Sequence, residues 1–174
     1  MPTFTLPFAH SEIAHWAGRY TYPGGDGDVI AVGERAKKAG YLTRADFLDL
    51  AKWKSQRPTK HYLKNSVHDV EQVTRFAFAV PNERLRLVGL TMLQGVGERT
   101  ASAILHFCHK DPYPLMDVRA FGTLGLAKAP TNWAEVWWPY TEACRTIAAD
   151  AGVSMRTLDQ ALWAYSDVTG VVAE

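Results

Sequence analysis

Gly95-Val96-Gly97 sits in the middle of the stretch running from Leu90 through Thr91, Met92, Leu93 and Gln94 to Leu105. The stretch reads as helix, tight turn and helix over residues 85–109. Two glycines two positions apart permit backbone angles closed to other residues and bring main-chain amides to the surface, while Val96 between them can plug the space between the helices. The second helix is expected to begin at about Glu98. Its first amides, with those of the turn, can hold one phosphate, because N–H groups donate directly and the helix dipole favours an anion. Gly95, Val96, Gly97, Arg99 and Thr100 are the residues placed at such a contact, which reads no sequence. A dinucleotide fingerprint needs a preceding strand and a third glycine, but Leu90–Leu93 suits a helix and the third position is Thr100. A P-loop needs Gly-Lys-Ser/Thr, and Glu98 follows Gly97. The bland alternative is a helical corner whose glycines serve geometry alone.

A second cluster lies between Lys52 and Lys64, where Lys52, Lys54, Arg57, Lys60, His61 and Lys64 occur without one acid. Lys54, Arg57 and Lys60 are its candidate phosphate ligands, against the alternative of a solvated helix end. Trp53, set among these bases, is the first candidate for stacking on a nucleobase, although aromatic residues at helical spacing more often belong to a core. His106, Cys108 and His109 lie close in sequence, but their offsets do not converge as an i, i+4 pair does, so no metal is expected. Asp26 and Asp28 lack the further ligands of a calcium loop.

The elements that must carry these groups are all helical. No alternating strand with a hairpin turn is apparent, so the expected fold class is all-α, a compact helical domain. A short helix is expected near Ser11–Gly18, then a glycine-rich loop over Tyr20–Asp28 and a helix over Asp28–Ala39 closed by Gly40. Thr43 with Asp46, and Ser66 with Asp69, are capping boxes. Val67, Val70, Val73, Thr74 and Ala77 form the expected buried stripe of the helix that Ser66 opens. Further helices start after Asn82, at Thr131 (interrupted or restarted by Pro139) and at Ser154, the last ending near Ser166. Asp117 reads as the N-cap of a helix over Val118–Leu126.

The 174 residues, 47% hydrophobic and 21% charged, suit one domain over 1–174 with a core that needs no staple. Two cysteines exclude a disulfide framework, a four-cysteine zinc site and an iron–sulfur cluster. No signal-like or eighteen-residue apolar run occurs, which predicts a cytoplasmic protein with no membrane partner. A net charge of +1 means that any nucleic-acid binding rests on local charge.

Leu93–Ile104 followed by Tyr113-Pro-Leu-Met-Asp117-Val-Arg119 resembles the signature of the helix-hairpin-helix base-excision DNA glycosylases, among them endonuclease III and the adenine and alkyl-purine glycosylases. The resemblance covers Ser66 to about Leu126. It implies that Asp117, eighteen residues after Arg99 (117 − 99), is the carboxylate that stabilises the cation developing on the sugar and orients the attacking water. Where bifunctional members carry a Schiff-base lysine this chain has Arg99, whose guanidinium cannot form an imine. The implied activity is therefore a monofunctional DNA glycosylase acting in base excision repair, without cofactor or metal, as a monomer on DNA. The alternative is a non-catalytic DNA-binding module on the same scaffold. Arg99 contacts a phosphate or holds Asp117 in the first case and is a solvated helix position in the bland one. Fewer residues precede the hairpin than in family members, and no segment that wedges into a duplex is identifiable.

Overall fold

The computed structural model describes residues 3–174. Among these there are α-helices and one 3-10 turn, at His10–Glu12, and no strand, so the fold class is all-α. Helix starts follow local capping chemistry. Thr43, Ser66, Asn82 and Ser154 each place a side-chain oxygen on a free amide of the first turn. Contacts gather in two compact units, Gly24–Pro112 and a second made of Met1–Pro23 with Tyr113–Glu174.

The Gly24–Pro112 unit contains α2 (Gly27–Ala39), α3 (Arg44–Lys54), α4 (Thr59–Tyr62), α5 (Val67–Ala79), α6 (Glu83–Leu90) and α7 (Glu98–Cys108). Helix α7 is its core element: every residue from Thr100 to Leu105 is buried, and α2, α3 and α6 pack around it. Close approach requires a glycine at one point, since a Cβ on Gly33 of α2 would stand 2.3 Å from the Phe107 carbonyl oxygen. In α5, Val70, Thr74 and Ala77 are buried as the stripe predicts, but Val73 is only half-buried and Val67 is 57% exposed. It is the first residue of the helix, where the chain has only begun to turn inward. Helix α6 ends at Leu90, so Thr91–Leu93 belong to the turn rather than to the helix expected there.

The other unit is built from α1 (Ile13–Ala17), α8 (Val118–Thr123), α9 (Trp133–Ala151) and α10 (Met155–Thr169). Both α1 and α8 pack on α10, around Ile13, Phe121, Tyr140, Leu158 and Leu162. Pro139 neither interrupts nor restarts α9, which runs unbroken through it. The carbonyl that the proline leaves without its donor belongs to Glu135, an exposed residue, so water can satisfy it. The cap of α9 is Asn132 rather than Thr131. Helix α8 stops at Thr123 instead of Leu126, and Gly125 turns the chain with φ +94°. Helix α10 continues one turn past Ser166 to a left-handed Gly170.

Candidate nucleic-acid interface and carboxylate

The α6–α7 turn is drawn tight by Met92 N–H to the Gly89 carbonyl (3.1 Å), Leu93 N–H to Leu90 (3.2 Å) and Val96 N–H to Leu93 (3.0 Å). Val96 is buried. The two glycines have different reasons to be there. Gly95 has φ +85°, and a Cβ on it would lie 2.9 Å from His61 Cβ and from Tyr62 Cδ1. Gly97 has φ −95° and ψ 177°, extended backbone open to any residue, and a Cβ on it would meet nothing within 4 Å. The expectation that both glycines supply forbidden angles thus holds for Gly95 alone. Gly97 is the N-cap of α7 and brings no side chain to that cap. It is exposed, as is Arg99. Thr100 is buried, with its hydroxyl oxygen 3.3 Å from the Tyr62 hydroxyl. Burial of the Tyr62 ring, partly offset by this bond, raises its pKa and keeps the phenol neutral.

Helix α4 lies against the same turn. The buried Asn65 donates from Nδ2 to the carbonyls of Tyr62 and Gln94 (3.0 Å each), and its Oδ1 accepts the Gln94 N–H at 2.8 Å. Arg44 secures the segment from the other side, with Nε to the Asn65 carbonyl and Nη2 to that of Leu63 (2.8 Å each). These contacts bring the exposed Arg57, Lys60 and Lys64, and the half-exposed Lys54, onto a segment pinned to the hairpin turn. Sequence reading found the bases and the glycines but not Asn65 and Arg44, which join them. A faint signal was present: Asn65 directly precedes the cap Ser66 and so is not needed as a cap itself. Trp53 is half-buried, donates Nε1–H to the Gly25 carbonyl at 3.0 Å and meets Phe107 edge-on at 5.1 Å between centroids.

In the other unit, Asp117 is half-exposed and caps α8, its Oδ1 accepting the Arg119 N–H at 2.9 Å. Arg119 pairs with Asp167 at 3.0 Å and lies over the Trp163 ring, 4.8 Å from the centroid. Tyr20 and Tyr22 meet that ring edge-on at 5.3 and 5.8 Å. Sequence reading quoted Arg119 beside Asp117 without giving it a role and passed over Asp167, 48 residues further on. Tyr140 donates its hydroxyl to the Leu115 carbonyl at 2.8 Å, and burial foremost pushes its pKa far up, so it stays protonated. Burial also pushes the thiols of Cys108 and Cys144 up, which leaves neither as a thiolate nucleophile at neutral pH.

Among the described residues no three His, Cys, Asp or Glu side chains gather as a metal site, and no helix is long and apolar enough to cross a membrane. No protein-family profile, curated protein or solved structure matches the chain.

Proposed function

We propose that this protein is a monofunctional DNA glycosylase, hydrolysing the bond between a damaged, mispaired or modified base and deoxyribose. The observation that carries the reading is Gly97. Neither its backbone angles nor any neighbour within the fold requires a glycine, yet a glycine leaves the uncapped start of α7 open to an outside anion. The basic segment pinned to the same turn by Asn65 adds cations beside that opening. A DNA phosphate suits both, and the binding it gives is independent of base sequence.

Asp117 is the catalytic carboxylate in this reading. Its Oδ1 is held by the Arg119 amide at the start of a helix, and a carboxylate fixed in this way would stabilise an oxocarbenium-like transition state. Arg99 serves as a phosphate contact and forms no covalent intermediate. Incubating the protein with duplexes bearing a panel of modified and mispaired bases tests the proposal: free base is released from at least one duplex, and Asp117→Asn abolishes the release.

A non-catalytic DNA-binding module is the second reading. It is favoured by the engagement of Asp117 Oδ1 in capping its own helix. Tight, salt-sensitive binding with no base released from any duplex decides for it.

A further inference from the structure

Residues 171–174 run back along α8 after α10 ends. The Ala173 N–H donates to the Val118 carbonyl at 3.0 Å, the Glu174 N–H to Ala127 at 3.2 Å, and the Ala129 N–H to the Glu174 carbonyl at 2.8 Å. The Ser166 hydroxyl, one turn from the end of α10, donates to the Val171 carbonyl. Ala173 is buried although its neighbours Val171, Val172 and Glu174 are exposed. The strap lies so close to α8 that a Cβ on Gly122 would stand 2.7 Å from Ala173 N and from Val172 C and Cα. Gly122 is in a helix and has no positive φ. The atoms nearest to where its side chain would begin all belong to the strap.

The chemistry follows from which peptide the strap touches. The Val118 carbonyl and the Arg119 N–H are the two ends of one planar peptide unit. Ala173 donates to the oxygen end, and the nitrogen end donates to Asp117 Oδ1 at 2.9 Å. The three groups form a chain, Ala173 N–H to Val118 C=O, then Arg119 N–H to the Asp117 carboxylate. Donation to a peptide oxygen polarises the unit and strengthens its N–H as a donor, an enhancement of roughly 10–30% per bond. The rigid plane also transmits orientation, because rotating the carbonyl away from Ala173 swings the N–H away from Asp117.

We infer that Ala173 and Gly122 are positioning residues for Asp117: the 171–174 strap fixes and polarises the peptide unit whose N–H donates to the carboxylate. Neither residue touches the reacting atoms. The catalytic consequence rests on the glycosylase reading above, but the hydrogen-bond chain does not.

Two measurements on the full chain separate them. The first is the Arg119 amide proton, whose NMR shift and exchange rate report its bond to Asp117. Ala173→Pro removes the strap's N–H, and Gly122→Ala drives the strap off α8. Each should move the Arg119 amide upfield and speed its exchange tenfold or more, while Ala173→Gly, which keeps the N–H, should leave the shift unchanged. The second is base release under single-turnover conditions, where both disruptive variants should lower the chemical rate about tenfold with the DNA Kd unchanged. An unmoved Arg119 amide in folded Gly122→Ala overturns the inference, whatever the enzyme does. Absence of base release from wild type, with the amide response intact, refutes the glycosylase reading and leaves the positioning chain standing.

Discussion

Asn65 and Gln94 pair through both of their complementary groups, the Asn65 side-chain amide reading the Gln94 backbone as one peptide reads another, at 3.0 and 2.8 Å. This pairing joins the basic segment to the hairpin turn, so its loss should separate their effects. Asn65→Ala removes the side chain that pairs with the part-buried carbonyl and N–H of Gln94 in the turn and should cost about 0.5–1.5 kcal/mol of stability per bond lost, measured by urea unfolding. At a temperature where the variant stays folded, its DNA affinity should fall as well. Unchanged affinity means that the bases act independently of the turn.

Gly95 and Gly97 should behave oppositely. Gly95→Ala meets a strained φ and two contacts at 2.9 Å, so it should lower the melting temperature, with a cost of about 1–3 kcal/mol for the backbone strain alone. Gly97→Val should melt within a few degrees of wild type, since its backbone is extended and the space around it open, while DNA binding drops at least tenfold. Full affinity in Gly97→Val would reduce the hairpin to a corner.

Replacing Lys54, Arg57 and Lys60 together by alanine should flatten the dependence of log Kd on log salt by about 0.9 for each phosphate contact removed. A slope equal to that of wild type takes this segment out of the interface.

Asp117→Asn keeps the shape of the cap while removing its charge. Base release should fall about a hundredfold or more, with DNA affinity held or raised. The wild-type product should be an intact abasic strand, cleaved only by alkali or heat. Borohydride should trap no protein–DNA adduct, because Arg99 forms no imine; a trapped adduct overturns the monofunctional mechanism.

The unit containing α5–α7 should lose stability on mild acidification. His109 is buried, accepts the Asp111 N–H on Nδ1 at 2.9 Å and faces the Phe78 carbonyl through Nε2 at 3.3 Å, the pattern of a neutral ring. Burial first, then the Arg86 guanidinium, lowers its pKa below the usual 6.5. The folded state therefore resists a proton that the unfolded chain accepts. Stability is complete above about pH 6.5 and declines as pH falls below it toward the depressed native value. Asp111 adds to the decline only in stronger acid: burial opposes its charge most, but the Arg86 pair at 2.7 Å together with the neighbouring His109 and Lys110 holds its carboxyl below the usual range. Urea midpoints measured between pH 7 and 5 should show this slope in wild type and a flatter one in His109→Gln.

The elements legible in the sequence were those written in local chemistry. Thr43, Ser66, Asn82 and Ser154 announce helix starts because a cap acts within three residues. Pro139 misled because the cost of an interior proline depends on whether the orphaned carbonyl is wet, which is a tertiary fact. Of the candidate site, residue types were readable and their joints were not. Which of the two glycines has no room for a side chain depends on His61 and Tyr62, more than thirty residues upstream. The partners of Arg119 depend on α10, and no periodicity within one helix encodes them.

The division of the chain has a consequence for the order in which it is made. One unit is a continuous stretch, Gly24–Pro112, while the other combines residues up to Pro23 with those from Tyr113 onward. On a ribosome, Gly24–Pro112 is complete once its last helix clears the exit tunnel, and closing its contacts costs only the entropy of shorter loops. Helix α1 has to wait, since its packing partner α10 is made about 140 residues later, and its apolar Ile13 stays exposed until then. The continuous stretch is thus born as a finished nucleus inside an unfinished protein. The α1–α10 pairing, with its large sequence separation, is where slow folding and misassembly should concentrate.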